Sequence, residues 1–260
     1  MNEKETGISD LWFSSVEIEV NARCNRRCGY CPVSVLPTPP AGKIMSEQLF
    51  DRIIGELVRI GFKGNLSYHR YNEPLLRQDL EILVARAKRL LPEAFQLLFT
   101  NGDLLSNERY ASLREAGIDH FLVTRHDFVP IQQRPNQTVQ FPSDLVIINR
   151  GGFFKPLTEA LESPCYAPTD TITITVDGEV LLCCNDAAGA QVMGNVGRDN
   201  IDDIWLSPHF VRVRRMLQAG NRRDASEICR KCDDLEYFGP GESRNEHLRG
   251  EVHGQSNSYV

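Results

Sequence analysis

Long apolar runs and surplus positive charge are both missing from this chain of 260 residues. No segment approaches the roughly 20 apolar residues of a membrane span, and residues 1–10 are too polar for the apolar centre of a signal peptide. The formal net charge is −6, so no basic face is visible for phosphate contacts, and Arg212, Arg214 and Arg215 are expected on the solvated side of a helix. These absences predict a cytoplasmic protein that works on neither membranes nor nucleic acids.

Cysteine is absent between Cys31 and Cys165, which leaves Cys24, Cys28 and Cys31 without a fourth cysteine nearby. Three thiolates at this spacing ligate three irons of a 4Fe–4S cubane and leave the fourth iron open, whereas a ferredoxin cubane takes four cysteines. The open iron is a place where chemistry can start. The alternatives are a zinc knuckle, which needs four ligands close together, and a disulfide, which needs an oxidising compartment.

The motif Cys24-x3-Cys28-x2-Cys31 follows a short apolar run at residues 16–20, and Tyr30 precedes its last cysteine. In these features the chain resembles the radical S-adenosylmethionine (SAM) enzymes. The resemblance implies that SAM binds the open iron and that an electron from the cluster cleaves it. The resulting 5′-deoxyadenosyl radical takes a hydrogen atom from the substrate. The resemblance also implies a reductant of the flavodoxin or ferredoxin type.

Apolar strand-like runs alternate with helical periods from residue 15 to about 150, which predicts an α/β fold with a parallel sheet. With the radical SAM resemblance, this indicates a partial (β/α)6 barrel of the TIM type. Strands are predicted at residues 16–20, 66–69, 96–100, 120–123 and 145–149, and helices after Ser46, at 79–91 and at 106–116. Ser46 is the expected N-cap of the first helix, whose apolar face comprises Phe50, Ile53, Ile54, Leu57 and Val58.

Three candidate segments lie where predicted strands end: the cysteine loop, the turn at residues 71–74 and the turn at residues 100–102. Because ligands bind at the carboxyl ends of parallel strands, these segments are expected to share one mouth. His69 is expected to face the same mouth and to support Glu73. The segment 126–144 is expected to form another part of the mouth.

The character of the chain changes after about residue 160, where a Thr/Ile/Val run at 171–176 precedes an Asp177-Gly178 hairpin signal. A short helix is expected at residues 206–219, with Phe210, Val213, Met216 and Leu217 inward. We therefore predict a barrel core at 1–155, a small C-terminal domain of hairpin plus helix at 156–240, and a flexible tail at 241–260.

Five further cysteines belong to this second unit: Cys165, Cys183, Cys184, Cys229 and Cys232. All except Cys184 match, in order and spacing, the shortened auxiliary-cluster domain (the twitch domain) that some radical SAM enzymes carry. The resemblance implies a second 4Fe–4S cluster with four thiolate ligands. A structural zinc held by the same four cysteines is the alternative. Cys184 is left over, either as a hydrogen-atom donor to a substrate radical or as a small buried side chain.

A closer resemblance, over residues 15–235, is to the radical SAM dehydrogenases of aminoglycoside biosynthesis that act on 2-deoxy-scyllo-inosamine. It is carried by Tyr71-Asn72-Glu73-Pro74, Thr100-Asn101-Gly102-Asp103, Val123-Thr124-Arg125-His126 and Asn149-Arg150-Gly151-Gly152. The resemblance implies a substrate-hydroxyl contact at Arg150. The SAM contacts that it implies are Tyr30, Tyr71, Asn72, Glu73, Thr100, Asn101 and Arg125.

The implied function is oxidation of a secondary alcohol of an aminocyclitol or amino sugar to a ketone, with the auxiliary cluster accepting an electron. Cys184-Asn185 replaces an aromatic–acidic pair expected beside the substrate in that family, which leaves the exact substrate open. The alternatives are epimerisation with Cys184 as hydrogen-atom donor, maturation of a ribosomal peptide, and a non-catalytic iron–sulfur carrier.

Overall fold

The structure, a computed structural model, describes residues 13–36 and 43–235. The predicted tail at 241–260 lies outside the described residues. Within the described ranges, no helix is both long enough and apolar enough to cross a membrane.

The described residues form one sheet of eight strands, six of them parallel. The strands are β1 (Ser15–Ile18), β2 (Asn65–Ser67), β3 (Phe95–Thr100), β4 (His120–Thr124), β5 (Gln137–Gln140), β6 (Thr171–Ile174), β7 (Glu179–Leu181) and β8 (Val192–Asn195). They lie in the order β5-β4-β3-β2-β1-β6-β7-β8. Strands β1 to β6 pair in parallel, whereas β7 and β8 continue the sheet antiparallel. The predicted parallel α/β fold is confirmed, and the hairpin joins it because β6 pairs directly with β1.

Eight α-helices accompany these strands in the described residues. They are α1 (Glu47–Arg59), α2 (Leu80–Leu90), α3 (Asn107–Ala116), α4 (Ala167–Asp170), α5 (Ile201–Trp205), α6 (Pro208–Gln218), α7 (Arg222–Ala225) and α8 (Glu227–Lys231). Helices α1 to α3 are the crossovers between successive strands β1 to β4, as a parallel sheet requires.

The ends of α1 and α3 follow from local sequence. Ser46 accepts a hydrogen bond from the Leu49 amide, as the N-cap prediction required, and Gly117 ends α3 with a φ of 121° that favours glycine. The apolar face of α1 is buried as predicted except at Val58, which is 43% exposed. Val58 stands at the edge of the apolar stripe, one residue beyond the buried Leu57.

The fifth strand is not where the sequence pattern put it. Residues 145–149 form no strand, and Val146 and Ile147 are 58% and 48% exposed. Instead β5 comprises Gln137–Gln140, within the segment expected only to line the mouth, and pairs with β4 in parallel. Because β5 is the outermost strand, main-chain pairing suffices to hold it and its half-buried side chains need not be apolar.

The C-terminal part packs around aromatic side chains. The ring of Trp205 meets Phe13 and Phe210 edge-on, at centroid distances of 4.9 and 5.1 Å. Arg214 is wrongly predicted as solvated: its guanidinium lies 4.1 Å from the Trp205 ring centroid, and only 8% of the residue is exposed. Burial lowers the pKa of Arg214 to about 10. Stacking on two aromatic faces compensates part of the cost of burying this cation.

Candidate active site

The first cysteine loop follows β1 and is held by its own backbone. The Cys31 amide donates to the Cys28 carbonyl at 2.9 Å, and the Arg26 amide donates to Cys24 Sγ at 3.4 Å. Burial raises the pKa of all three thiols, so without a cation they favour the neutral form. Metal binding deprotonates such thiols. The three sulfur donors therefore fit an iron–sulfur group that has one iron left for another ligand.

Four charged side chains tie this loop to the ends of β3 and β4. Arg26 donates to Asp103 at 2.6 Å and to Asp127 at 2.5 Å, while Arg125 bridges the same two carboxylates at 3.1 and 2.9 Å. Hydrogen bonding to Arg26 lowers the pKa of Asp127 to about 2. We call these four residues the loop anchor. Arg26 lies inside the cysteine motif, yet nothing in the sequence pattern indicated its partners.

The carboxylate of Glu73, a predicted SAM contact, forms hydrogen bonds inside the protein. Its carboxylate accepts from the amides of Leu75 and Asn101 at 3.0 and 2.8 Å and from the Thr100 hydroxyl at 2.7 Å. The residue is 1% exposed, and burial raises the pKa of the carboxyl group. Its carbonyl accepts from the side-chain amide of Asn21 at 3.0 Å. Glu73 therefore joins the turns after β1, β2 and β3.

The remaining predicted SAM contacts lie around the cysteine loop. Asn101 Nδ2 donates to Asn25 Oδ1 at 2.8 Å and lies 4.0 Å from Cys24 Sγ. The Tyr30 hydroxyl is hydrogen-bonded to Nδ1 of His126, the residue that follows Arg125. Burial raises the pKa of Tyr30 to about 12, so the phenol remains neutral near pH 7. In Asn72, Oδ1 accepts from the Arg70 amide, while Nδ2 is buried with no hydrogen-bond partner among the described residues.

His69 contacts Phe99 and Glu17. Its ring stacks on Phe99 with centroids 4.0 Å apart, and its Nε2 atom lies 4.0 Å from Glu17 Oε1. Glu73 is held by the amides and hydroxyl described above. The side chain of His69 thus links β2 to β3 and β1 at the base of the mouth.

Arg70 and Tyr71 bind the loop that carries two of the later cysteines. The Tyr71 hydroxyl donates to the Cys184 carbonyl at 2.9 Å, and Arg70 Nη2 donates to the carbonyls of Asp186 and Ala187 at 2.5 and 2.9 Å. We call Arg70 and Tyr71 the clasp. The motif containing Tyr71 was recognised from sequence, but its partner loop, more than 110 residues away in the chain, was not.

Arg150 lies between the first cysteine loop and Tyr71. Its guanidinium is 6.0 Å from the Tyr71 ring centroid, and its charge lowers the pKa of Cys31 and Tyr71, opposing the larger effect of burial. Its backbone has a φ of 52°, an unfavourable value for an arginine. Arg150 Nε is buried and has no hydrogen-bond partner among the described residues. A strained backbone and an unused donor are typical of a residue that serves a ligand.

Four cysteines of the second set line one cavity, whose empty space is about 380 Å³ including the part open to solvent. They are Cys165, Cys183, Cys229 and Cys232. Burial raises the pKa of every one of these thiols, to about 12 for Cys229 and about 11 for Cys232. No three His, Cys, Asp or Glu side chains of the described residues come close enough to hold a single metal ion. The four sulfur donors around one cavity fit a cluster with complete thiolate ligation.

Cys184 stands beside this cavity rather than among the residues that line it. It is half-buried, and its carbonyl accepts the hydrogen bond from Tyr71. The neighbouring Asn185 is 3% exposed and donates from Nδ2 to Asp234 Oδ2 at 2.6 Å. None of the eight cysteines is in a disulfide.

A parallel sheet whose strand ends hold a three-cysteine loop, extended by a hairpin that helps to enclose four more cysteines, defines a radical SAM enzyme with an auxiliary-cluster domain. Residues 18–162 match the radical SAM superfamily, and residues 165–233 match an iron–sulfur cluster-binding domain. The chain belongs to the radical SAM superfamily. It is a radical SAM oxidoreductase whose cofactors are SAM and two iron–sulfur clusters.

Two relatives show how far the likeness extends. The chain is 35% identical to the S-adenosyl-L-methionine-dependent 2-deoxy-scyllo-inosamine dehydrogenase of Niallia circulans, over 87% of this chain and 95% of that protein. It is 32% identical to the GTP 3′,8-cyclase of Limosilactobacillus fermentum, over 44% of this chain and 34% of that protein.

Solved structures of radical SAM enzymes are similar to this chain as well. The crystal structure of BtrN in complex with AdoMet and 2-DOIA matches with a TM-score of 0.80 and 34% identity, covering 87% of this chain and 95% of that one. The peptide-bound structure of SuiB from Streptococcus suis matches at a TM-score of 0.54 and 12% identity, covering 88% of this chain and 75% of that one. At that identity, the likeness to SuiB concerns the fold alone.

Proposed function

We propose that this protein is a radical SAM dehydrogenase that oxidises a secondary alcohol of an aminocyclitol or amino sugar to a ketone. The observation that carries the proposal is the convergence of Tyr71, Arg150 and Cys184 between the two cysteine sets. A substrate at this place lies between a source of radicals and an acceptor of electrons. The likeness to the inosamine dehydrogenase, over nearly the full length of both chains, supports the same chemistry.

The cofactor ligands in this proposal are the two cysteine sets. Cys24, Cys28 and Cys31 hold the first 4Fe–4S cluster, and the four cysteines of the cavity hold the auxiliary one. When bound, SAM and the first cluster supply a radical that abstracts hydrogen, and the auxiliary cluster supplies an acceptor for one electron. Tyr30, Asn72, Asn101 and Arg125 form the protein side of the SAM site, where the unused amide donor of Asn72 suits an anionic oxygen.

Glu73 and Thr100 support the SAM site from the protein interior. Their mutual hydrogen bond and the bond from the Asn101 amide fix the turns that surround SAM. In this role Glu73 positions the main chain of the turn, and its carboxylate makes no direct contact with the cofactor. The burial of Glu73 supports this assignment, because a carboxylate with three internal donors has little capacity left for a ligand.

Arg150 is the substrate contact in this proposal. Its guanidinium donates to the substrate hydroxyl and stabilises negative charge on that oxygen when the proton leaves for solvent. A guanidinium remains protonated in proteins and cannot itself take up this proton. The unpartnered Nε and the left-handed backbone of Arg150 support the assignment. Tyr71, a neutral phenol whose pKa burial raises further above its ordinary value, forms the neighbouring wall.

Epimerisation is the second candidate function, and the position of Cys184 favours it. Cys184 follows a proposed cluster ligand directly and borders the Tyr71 side of the site. A thiol there can return a hydrogen atom to the opposite face of a substrate radical. Labelling in D2O separates the two candidates, because an epimer gains deuterium at carbon whereas a ketone contains no such hydrogen.

The experiment that tests the function is anaerobic reconstitution followed by turnover with SAM, dithionite and a panel of aminocyclitols. We expect about eight irons per chain. Mass spectrometry should detect substrate-dependent 5′-deoxyadenosine and a product that is lighter by two hydrogen atoms. A product of unchanged mass in H2O that gains one deuterium at carbon in D2O would replace oxidation by epimerisation. Absence of 5′-deoxyadenosine with every substrate would contradict both.

The reductant and the compartment complete the proposal. We propose that a flavodoxin or ferredoxin supplies the electron for SAM cleavage and that the protein works in the cytoplasm. The seven proposed ligands support this location, because the reducing cytosol keeps thiols available for metal. Reduction by purified flavodoxin in place of dithionite, followed by 5′-deoxyadenosine formation, tests the partner.

A further inference from the structure

A buried arginine, Arg222, lies in the wall of the cavity that the four cysteines share. It begins α7, it is 1% exposed, and sequence patterns gave no indication of a role for it. Arginine is almost never fully buried unless its charge is compensated. The position of this cation therefore requires a physical explanation.

The hydrogen bonds of Arg222 use three of its five N–H donors and do not neutralise its charge. Nε donates to the Ser163 carbonyl at 2.8 Å, Nη1 to the Asp234 carbonyl at 2.7 Å and Nη2 to the Pro164 carbonyl at 3.0 Å. All three acceptors are neutral main-chain groups. The positive charge remains available to whatever the cavity holds.

The charge lies among the cavity thiols. Arg222 lines the same cavity as Cys165, Cys229 and Cys232. Asp234, which carries the opposite charge, lies on the same wall. Two charges of opposite sign thus face the cysteines.

We propose that Arg222 is the counter-charge of the auxiliary cluster and raises its reduction potential, so that the cluster accepts an electron from the substrate radical. The inference rests on the proposed function, in which this cluster is the acceptor. A cluster with four thiolates is anionic and gains one more negative charge on reduction. A fixed cation in a poorly solvated wall stabilises the reduced form more than the oxidised form.

The electron balance shows why the potential matters. Conversion of the alcohol to the ketone removes one hydrogen atom, which goes to the SAM-derived radical, one proton, which goes to solvent, and one electron. That electron needs an acceptor of sufficient potential. Arg222 touches neither substrate nor SAM in this scheme, so it is a positioned charge and not a catalytic residue.

The test is a redox titration, monitored by electron paramagnetic resonance, of the full-length protein in which Cys24, Cys28 and Cys31 are replaced by alanine. Only the auxiliary cluster then contributes a signal, and neither substrate nor turnover is needed. In this background we expect Arg222→Gln to lower the equilibrium constant for one-electron reduction about tenfold, which is about 59 mV. Arg222→Lys, which keeps the charge, should stay near the parent potential.

Two further variants separate an effect of charge on the potential from an effect of structural damage. Asp234→Asn removes the opposing charge and should shift the potential upward. Arg214→Gln removes another buried guanidinium of the same region, one that stacks on Trp205 and does not line the cavity, and should leave the potential unchanged. This control accounts for general destabilisation.

The possible outcomes separate the role proposed for Arg222 from the proposed function on which it rests. Equal potentials for Arg222→Gln, Asp234→Asn and the parent would overturn the role of Arg222 while leaving the acceptor role of the cluster intact. If Arg222→Gln does not assemble a cluster, the upward shift of Asp234→Asn and the unchanged potential of Arg222→Lys decide the question. A parent background without about four irons per chain would overturn the auxiliary cluster itself.

Discussion

The two cysteine sites differ in what surrounds their sulfur atoms. The first site lies in one loop at the mouth, where three partly exposed side chains and the buried Arg125 form the loop anchor. The second site draws its cysteines from three segments of the chain and encloses them in a largely apolar cavity whose wall also holds Arg222 and Asp234. An open, polar site can admit a further ligand, whereas an enclosed site with complete ligation suits electron storage. The same residue type thus serves two different tasks because of its surroundings.

Removing one cysteine from each site should have the largest effect on activity. We expect Cys28→Ala to reduce 5′-deoxyadenosine to background, since the SAM-binding cluster needs all three thiolates. Cys229→Ala should still form 5′-deoxyadenosine but yield no ketone. Mass spectrometry of both products, with circular dichroism as the folding control, checks the pair. Ketone formation by Cys229→Ala would contradict the division of labour between the sites.

The clasp joins the two sites, so removing part of it tests this connection. Tyr71→Phe deletes one hydroxyl and its bond to the Cys184 carbonyl, a bond worth about 1 kcal/mol. We expect ketone formed per 5′-deoxyadenosine to fall about fivefold, because the Cys183 loop is less firmly held. Tyr110→Phe, which loses a similar bond to the Pro135 carbonyl elsewhere, is the matched control. An equal loss in both variants would assign the effect to general stability.

The loop anchor tests whether the first site depends on surface charge. Arg26→Gln removes the bridge to Asp103 and Asp127 and should accelerate iron loss to a chelator about fivefold at low salt, since ion pairs near the surface stabilise a loop only modestly. The difference should shrink as salt screens these charges. Arg27→Gln, whose side chain donates to the Val33 carbonyl, is the control. Salt-independent iron loss would refute the electrostatic explanation.

A weaker effect is expected on the dependence of folding stability on pH. Burial lowers the pKa of His126 below its ordinary 6.5, so the unfolded chain binds this proton more readily than the folded protein. The stabilising contribution of neutral His126 is complete above the unfolded pKa and is lost as pH falls below about 6.5. His126→Gln should therefore flatten the acid dependence of unfolding. Urea denaturation of the cluster-free protein across this range is the measurement.

Prediction from sequence succeeded where local physics determines the outcome. The cap at Ser46, the stop at Gly117 and the Asp177-Gly178 turn depend on a few adjacent residues, and the parallel sheet follows from alternating strands and helices. It failed at β5, where an edge strand needs no apolar pattern, and at Arg214, whose aromatic partners made burial possible. Both errors arise where packing overrides a residue's average preference.

The motif Cys24-x3-Cys28-x2-Cys31 was enough to recognise the resemblance to radical SAM enzymes, because three thiolates in one short loop leave one iron of a cubane open. The surroundings of the cysteines became visible only in the folded chain: the turn after β2 binds the Cys184 loop, Glu73 faces inward, and Arg222 lies in the cavity wall. The physical reason is distance along the chain. Ligand spacing is a local property, whereas burial and charge compensation arise when segments more than a hundred residues apart pack together.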